Sequence, residues 1–318
     1  MVMGWIRISI GARASKFSLR GTAQRAAAGR GRALSEALVD RADRIMVFVP
    51  MYNCANQIGR VIAQFDEATQ KRFARLVVID NQSRDDGVSR AAAALAQLRH
   101  IETVLLRNDE NYGLGGSHKV AFKAAIDGGF DYVVVLHGDD QGSISDLIPL
   151  LDRKEHRGVD CLLGARFMRG SSLPGYSTFR TFGNRIFNLL YSLAAGRRLF
   201  DLGAGLNLYA VSALARHQWL RFADDLTFNY YLILASCVWR WRIAFFPLSW
   251  REDDQISNVR LFRQALRVAH ILWQFLTERR RFLERDHTGK PGRSYTSTVI
   301  QRSVAPDAAP TSRSGAMS

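Results

Sequence analysis

A histidine, two aspartates and a glutamine follow one of the most apolar runs of the chain. If the extended geometry of that run continues, alternate side chains point the same way, so His137, Asp139 and Gln141 share one face. An imidazole, a carboxylate and an amide oxygen can together ligate one divalent ion, Mn²⁺ or Mg²⁺. We therefore expect a metal site in this segment; the alternative is a solvated turn before the next helix. The full segment is His137-Gly138-Asp139-Asp140-Gln141.

Polar side chains also end two earlier apolar runs. Asp80 ends the second run, where a carboxylate can accept hydrogen bonds from a nucleotide base or from ribose hydroxyls. Pro50 closes the first run because it has no N–H to donate, and Tyr52 and Asn53 then offer a ring and an amide to a ligand. An ordinary turn explains residues 50–53 equally well.

A glycine-rich segment with Asn111, Gly113 and Gly115 follows a third apolar run. Glycine lets the backbone approach a ligand closely, and the helix that follows presents its N-terminal amides to an anion. We expect a phosphate-bearing ligand here, although a tight turn without a ligand has the same composition.

These segments require a scaffold that places strand ends side by side. Strands alternate with helices along the chain, which predicts an α/β fold with a doubly wound, mostly parallel sheet and helices on both faces. Ligands of such sheets bind outside the carboxyl ends of the strands, where the strand order switches. The absence of G-x-G-x-x-G after the first run disfavours a dinucleotide-dependent dehydrogenase. The predicted strands are 45–49, 76–80, 103–106, 132–137, 160–164 and 243–246, and the predicted helices are 56–65, 87–98, 116–127 and 145–152.

The positive charge lies at the ends of the chain. The net charge of the 318 residues is +15, yet residues 45–259 contribute only +2. A nucleic-acid-binding domain would carry its charge on the folded body, so we expect no nucleic-acid partner and favour an anionic membrane surface. Three widely spaced cysteines fit a reducing cytosol. No uncharged apolar run is long enough to span a bilayer, so we expect a peripheral membrane protein.

We divide the chain into four parts. Residues 1–44 are expected to be a disordered basic leader, residues 45–260 a globular domain, and residues 286–318 a disordered tail. Residues 261–285 predict a basic amphipathic helix suited to a membrane interface. That helix could equally pack on the core of the domain, and residues 179–199 are a second candidate for membrane contact.

Taken in order, these segments resemble the family-2 glycosyltransferases of the GT-A fold, and look closest to the dolichol-phosphate mannosyltransferase and polyprenyl-phosphate glycosyltransferase type. The similarity covers residues 45–260; the metal segment resembles the family's D-x-D-x-Q, and residues 164–166 its G-x-R strand end. The resemblance implies that Asp201, Gly205 and Asn207 lie on the acceptor side. It also implies that a nucleotide sugar is bound by Pro50, Tyr52, Asn53, Asp80, Asn111, Gly113, Gly115 and Arg260.

Two departures from the family pattern bear on catalysis. His137 replaces the first aspartate of the metal segment, and an imidazole ligand favours Mn²⁺ over Mg²⁺. Activity should then fall at mildly acid pH as the imidazole protonates. The acidic residue usual in the helix after the acceptor segment has no clear counterpart, and the nearest carboxylates, Asp224 and Asp225, are the candidate general bases. Asp139, through its metal, and Arg166 are expected to assist departure of the diphosphate.

The resemblance implies a metal-assisted, inverting glycosyltransferase that uses a UDP- or GDP-linked sugar. A phosphate monoester, with a second pKa of about 6, is already ionised near neutral pH and needs no general base. The unclear base position therefore favours a polyprenyl phosphate acceptor at the inner, cytoplasmic face of the plasma membrane. Two alternatives remain: transfer to a saccharide hydroxyl in cell-envelope polysaccharide synthesis, and a non-catalytic membrane protein that binds sugar nucleotides.

Overall fold

The structure, a computed structural model, describes residues 41–216, 218–251 and 261–304. These residues form an eight-stranded sheet. The strands in chain order are β1 (Ile45–Met51), β2 (Arg75–Asp80), β3 (Glu102–Asn108), β4 (Tyr132–Leu136), β5 (Cys161–Ala165), β6 (Leu206–Ala210), β7 (Ile243–Pro247) and β8 (Ser297–Ser303).

The strand order across the sheet is β7-β5-β6-β4-β1-β2-β3-β8. Strand β1 pairs in parallel with β2 and β4, and the β2–β3 and β5–β7 pairs are also parallel. Strand β6 runs antiparallel between β4 and β5, and β8 runs antiparallel to β3. The predicted α/β fold with a mixed, mostly parallel sheet is confirmed.

Helices cover both faces of the sheet, as the sequence predicts. They are α1 (Ala55–Ala63), α2 (Glu67–Gln70), α3 (Gly87–Leu95), α4 (Gly113–Asp127), α5 (Ile148–Asp152), α6 (Thr178–Ala195), α7 (Val211–Leu214), α8 (Phe228–Val238), α9 (Leu261–Thr277) and α10 (Arg279–Glu284). Short 3₁₀ turns lie at Ile144–Asp146, Glu155–Gly158 and Gln218–Arg221.

Two apolar layers follow from the alternation of side chains along the strands. On β1, Val47 and Val49 pack with α1 and α3 on one face of the sheet. Met46 and Phe48 point to the other face, where α4, α8 and α9 cover them. All seven residues of β1 are buried, which explains why the strand reads as a continuous apolar run.

The strand order switches between β1 and β4. The chain moves outward from β1 to β2 and β3 and then returns to β4 on the other side of β1. The loops after β1 and β4 therefore leave neighbouring strands in opposite directions, which opens a crevice at their carboxyl ends. The residues that follow these two strands are the predicted ligand-binding segments.

The prediction that residues 286–318 are disordered is wrong for the part that the structure describes. Residues 297–303 form β8, which adds an edge strand to β3. The β-branched residues Thr298, Val299 and Ile300 supply the strand propensity, but the glycine-, proline- and serine-rich stretch before them dominates the composition. Residues 1–40, 252–260 and 305–318 lie outside the described residues. These ranges include most of the predicted leader and Arg260.

The predicted basic helix 261–285 is present as two helices, α9 and α10, which are separated at Glu278. Val268, Ile271 and Phe275 of α9 are buried in the core, so one face of α9 packs on the domain. None of the helices in the described parts of the chain is both long and apolar enough to cross a membrane.

Candidate active site

The loops after β1 and β4 touch each other at the switch point. The Gly138 N–H donates to the Pro50 carbonyl at 3.1 Å. A Cβ at position 138 would lie 2.6 Å from that oxygen, so only glycine allows this approach. Tyr52 is half exposed above the contact, and Asn53 accepts the Arg84 N–H through Oδ1 at 2.8 Å. Asn53 therefore ties the loop after β1 to the loop after β2, and Tyr52 keeps its ring available for a ligand.

Asp80 is fully buried at the carboxyl end of β2. Its Oδ1 accepts the Ser83 N–H at 3.0 Å. Its Oδ2 lies 3.3 Å from Nε of Arg107 but has no hydrogen-bond partner among the described residues. A buried carboxylate oxygen without a hydrogen bond is costly. This position is therefore suited to accept a donor from a ligand, as predicted for a nucleotide.

A network of asparagines holds the glycine-rich segment in place. Asn111 Oδ1 accepts from Asn81 Nδ2 at 2.9 Å and from the Gly113 N–H at 3.0 Å. Asn81 Oδ1 in turn accepts from Asn108 Nδ2 and from the Tyr112 N–H. Asn111 thus has a positioning role within the loop, and the sequence analysis missed Asn81 and Asn108, whose types alone give no distinguishing signal.

Gly113 and Gly115 approach protein backbone rather than open space. Gly113 has a φ of +73°, and a Cβ there would lie 2.5 Å from the Asp224 carbonyl oxygen. A Cβ at Gly115 would lie 2.3 Å from the Ala223 carbonyl oxygen. The sequence predicts a close approach to a ligand, whereas the close contacts of both glycines are with the chain's own 223–224 segment, more than 100 residues away in sequence.

Asp224 belongs to a buried cluster that also contains Lys119. Lys119 Nζ, fully buried, lies 2.7 Å from Asp224 Oδ1 and donates to the Tyr295 hydroxyl at 3.0 Å. Tyr295 donates to Asp224 at 2.7 Å, and Arg293 lies 3.3 Å from the other carboxylate oxygen. Arg293 also pairs with Glu110 at 2.6 Å. This cluster joins the C-terminal segment, α4 and the glycine-rich loop.

The two candidate general bases are therefore engaged by cations. Asp224 has Lys119 and Arg293 as partners, and Asp225 pairs with Arg267 at 2.5 Å. Asp225 Oδ1 also accepts the N–H and the hydroxyl of Thr227 before α8. These contacts favour structural roles for both carboxylates, because proton transfer to either would require it to give up an existing ion pair.

The metal segment does not continue in extended geometry, contrary to the assumption behind the predicted shared face. Strand β4 ends at Leu136, and Asp140 adopts a left-handed φ of 59°. Asp140 consequently points away from the crevice and pairs with Arg60 at 2.6 Å and Arg251 at 2.9 Å. His137 and Asp139 remain together, with Nδ1 and Oδ2 4.0 Å apart.

Burial gives His137 and Asp139 unusual acidities. Burial, reinforced by the positive charge of Arg166, lowers the pKa of His137 to about 4. Burial raises the pKa of Asp139 to about 6, and the Asp140 carboxylate adds to this while the Gln141 N–H opposes it. The histidine is therefore neutral at physiological pH, the form that ligates metals.

These residues fit a divalent ion as part of its coordination shell. His137 Nδ1 lies 4.0 Å from Oδ2 of the partly buried Asp139, and Nε2, the other ring nitrogen, is buried and has no hydrogen-bond partner among the described residues. No three His, Cys, Asp or Glu side chains in the described ranges are arranged to hold an ion by themselves. A divalent ion here would therefore need further ligands, such as Gln141, water or the phosphates of a substrate.

Arg166 and Asp201 form a buried, two-pronged ion pair. Nε and Nη2 of Arg166 donate to the two carboxylate oxygens of Asp201, both at 2.8 Å. Burial alone would raise the pKa of Asp201, but the guanidinium outweighs it and holds that pKa below its usual range. The pair joins the end of β5 to the predicted acceptor segment, and it already neutralises the charge that was expected to stabilise the leaving group.

The other two acceptor-side residues have close contacts of their own. A Cβ at Gly205 would lie 2.9 Å from Cγ of His137, so the imidazole packs directly on this glycine. Asn207 Oδ1 accepts the Gly164 N–H at 3.2 Å, and its Nδ2 donates to the Ala204 carbonyl. Gly205 thus brings the acceptor segment against the metal segment, whereas Asn207 links β5 and β6.

The fold is of the GT-A type, with the candidate site at the switch point of a doubly wound sheet. Residues 46–218, more than half of the chain, match the family described as Glycosyl transferase family 2. The chain belongs to this family and is a glycosyltransferase.

Named relatives agree with this assignment. Over 171 residues the chain is 24% identical to undecaprenyl-phosphate mannosyltransferase of Micrococcus luteus, covering 54% of this chain and 68% of that protein. It is 28% identical to undecaprenyl-phosphate 4-deoxy-4-formamido-L-arabinose transferase of Photorhabdus laumondii, covering 52% of this chain and 49% of that protein.

A solved structure shares the fold. The complex of glucosyl-3-phosphoglycerate synthase from Mycobacterium tuberculosis with Mn²⁺, uridine diphosphate and phosphoglyceric acid superposes with a TM-score of 0.54 at 16% identity. The match covers 81% of this chain and 86% of that chain. At this identity, the likeness establishes a common fold and nothing about the substrates of this chain.

Proposed function

We propose that the protein transfers a sugar from a UDP- or GDP-linked donor to a polyprenyl phosphate at the cytoplasmic face of the plasma membrane. The observation that carries the proposal is the contact between His137 of the metal segment and Gly205 of the acceptor segment. The segment proposed to hold the metal of the donor and the segment proposed to face the acceptor therefore meet at one point of the crevice.

On the donor side, the chain offers a buried carboxylate and an exposed ring. Asp80 Oδ2 would accept a hydrogen bond from the base or ribose, since it lacks one in the described structure. Tyr52 lies at the rim and would pack against the nucleoside. The proposal assigns nucleotide recognition to these two residues and loop positioning to Asn53 and Asn111.

At the diphosphate, His137 and Asp139 would hold a divalent ion together with substrate oxygens. When bound, such an ion would offset the negative charge that develops on the leaving diphosphate. Asp139 must be ionised for this role, which its pKa of about 6 permits at neutral pH. Inversion at the sugar carbon would follow from direct attack by the acceptor on the face opposite the departing diphosphate.

On the acceptor side, the structure supports a group that needs no general base. The two candidate general bases are already paired with cations. Asp224 is paired with Lys119 and Arg293, and Asp225 with Arg267. An ionised phosphate can attack without losing a proton. The relatives from Micrococcus luteus and Photorhabdus laumondii are both named for undecaprenyl-phosphate acceptors, which supports the same choice.

An acceptor panel tests the proposal. Full-length protein with Mn²⁺ and either a UDP- or a GDP-sugar would be offered a polyprenyl phosphate, the matched polyprenol without phosphate, or an oligosaccharide. We expect product only with the polyprenyl phosphate. Asp139→Asn is the inactive control. Product with polyprenol or oligosaccharide would establish a hydroxyl acceptor instead, and binding of the donor without turnover on any acceptor would favour a non-catalytic binding protein.

A further inference from the structure

Helix α6 carries a row of large apolar side chains that face solvent. The exposed fractions are 77% for Phe179, 66% for Phe182, 60% for Leu189 and 71% for Leu193, and Ile186 lies between them at 42%. The spacing of three and four residues places this row along one face of the helix. Eighteen residues give the helix a length of about 27 Å, so the row is long enough to form a continuous apolar stripe.

The opposite side of α6 is attached to the domain. Tyr191 is fully buried and donates to the Val268 carbonyl of α9 at 2.8 Å. Asn188 donates to the Phe200 carbonyl at 2.6 Å. The helix is therefore held in a fixed orientation with its apolar stripe outward, and a stripe of this kind marks a surface for another partner.

The charge around the stripe indicates the chemistry of that partner. Residues 167–200 contain five arginines and no aspartate or glutamate, and Arg185 and Arg198 are exposed. The neighbouring α9 also has no acidic residue, and it exposes Arg263, Phe262 and, at 65%, Trp273. Apolar side chains among arginines, with a tryptophan nearby, suit the headgroup region of an anionic bilayer.

A second copy of the chain fits this surface less well. Two α6 stripes placed together would bring arginines of both copies close to each other, and residues 167–200 supply no carboxylate to offset that repulsion. Anionic lipid headgroups supply the missing negative charge along the whole length of the helix.

The base of α6 is connected to the candidate active site. The helix lies between Arg166 and Asp201 in sequence. The buried ion pair of these two residues holds together the two ends of the segment that contains the helix. The acceptor segment begins at Asp201. A bilayer that holds α6 is therefore linked through this rigid pair to the side of the crevice where an acceptor would enter.

We propose that α6 docks the protein on an anionic membrane through Phe179, Phe182, Ile186, Leu189 and Leu193, with its arginines on the headgroups and α9 beside it. The inference rests on the proposed function only where it makes the bilayer the source of the acceptor. Membrane binding through the α6 stripe is a separate, measurable property.

Co-sedimentation of the full-length protein with vesicles tests the docking surface. The vesicles would be phosphatidylcholine alone or phosphatidylcholine with phosphatidylglycerol. We expect binding to the anionic vesicles, and a loss of at least about tenfold in partitioning for the triple variant Phe182→Ser, Leu189→Ser, Leu193→Ser. The matched control, Val299→Thr with Ile300→Thr, changes exposed apolar residues of β8 and should bind as the unmodified protein does.

A charge variant and a label make the test independent of the folding of the triple variant. Arg185→Gln with Arg198→Gln should weaken binding to anionic vesicles and lower its sensitivity to salt. A fluorophore on Leu193→Cys, with Cys237→Ser to remove the partly exposed thiol, should shift to the blue with anionic vesicles. The same fluorophore on Val299→Cys should not shift.

Three results would overturn the inference. The first is unchanged vesicle binding by a folded triple variant, and the second is equal binding to both vesicle types. The third is that the unmodified protein forms a dimer without vesicles and the triple variant does not. Transfer to a short-chain, water-soluble phosphate acceptor separates the two proposals. If the triple variant keeps that activity but loses vesicle binding, both stand; if vesicle binding depends on α6 but the unmodified protein transfers to no acceptor, the proposed function alone fails.

Discussion

Asp139 and Asp140 are neighbouring carboxylates with opposite surroundings. The left-handed backbone at Asp140 turns its side chain toward Arg60 and Arg251, where it is paired and buried. Asp139 stays beside His137, and burial raises its pKa to about 6. A carboxylate that is costly to ionise in the native protein is the expected mark of a site that binds a cation.

The first prediction concerns Asp139→Asn in metal-free protein. Because burial raises the pKa of Asp139 to about 6 in the native state, against 3.8 in the unfolded chain, the carboxylate costs stability increasingly between about pH 4 and 6 and by a constant amount above pH 6. For a fully buried group, a pKa difference of this size corresponds to about 3 kcal/mol at pH 8. Because Asp139 is only partly buried, removing its charge should stabilise the protein by about 2 kcal/mol. The gain should vanish below about pH 4 while turnover is lost at all pH values.

Thermal unfolding in EDTA at pH 8 and at the lowest pH where the fold persists would measure this difference. Asp86→Asn is the matched control, since that exposed carboxylate pairs with Arg90 on the surface and should change stability little. A loss of stability in Asp139→Asn at pH 8 would show that the native state does not disfavour the charge at this position.

The second prediction is that activity falls at acid pH because Asp139, rather than His137, becomes protonated. Protonation of the imidazole was expected to reduce activity at mildly acid pH, but burial lowers the pKa of His137 to about 4. Protonation of Asp139 should therefore weaken metal binding as pH falls through about 6, and with it reduce kcat/KM at subsaturating metal. The profile should keep this limb in His137→Asn, even if the preference for Mn²⁺ over Mg²⁺ changes. Disappearance of the limb in that variant would restore the histidine as the titrating group.

The third prediction concerns Asp80. Asp80→Asn is nearly isosteric and should leave the fold intact, but it removes the carboxylate oxygen that has no hydrogen bond in the described structure. A hydrogen bond to a charged group contributes about 1.5–3 kcal/mol, so nucleotide affinity should fall about 10- to 100-fold. Isothermal titration with UDP and GDP measures the change, and unaltered affinity would remove Asp80 from the nucleotide site.

At the scale of elements, the C-terminal segment fastens the glycine-rich loop. Arg293 pairs with Asp224 and Glu110 and stacks 4.6 Å from the Tyr112 ring, while β8 pairs with β3.

The fourth prediction is that Arg293→Ala lowers the free energy of unfolding by about 2 kcal/mol and speeds amide exchange at residues 111–116. Arg302→Ala, which removes an ion pair at the surface between β8 and Glu102 of β3, should cost less than about 1 kcal/mol. Equal effects of the two variants would contradict the fastening role.

The elements also show which features a sequence can predict. Strands β1, β2 and β4 are predictable because buried parallel strands are continuous apolar runs. Strand β6 lies inside the segment interpreted as the acceptor motif, and β8 follows a glycine- and proline-rich stretch, so both were missed. The direction of Asp140 depends on Arg60 and Arg251, and the partner of Gly115 is Ala223. Such contacts join residues that are distant in sequence, and local patterns do not encode them.

At the scale of the whole molecule, most of the net positive charge lies outside residues 45–259 in sequence. Residues 45–259 are nearly neutral, whereas the basic residues of α9 and α10 lie beyond them in sequence and α6 carries its own arginines without acidic neighbours. This distribution suits the proposed function, in which the donor is a soluble nucleotide sugar and the acceptor an anionic lipid.

The most direct test of the central claim is the stoichiometry of transfer. Single-turnover reactions would measure nucleoside diphosphate released and sugar recovered on a polyprenyl phosphate, for the unmodified protein, Asp139→Asn and Asp86→Asn. We predict equimolar diphosphate and glycolipid for the unmodified protein and Asp86→Asn, and neither product for Asp139→Asn. Diphosphate release without glycolipid, or equal turnover in Asp139→Asn, would contradict the claim that this crevice transfers sugar to a lipid phosphate.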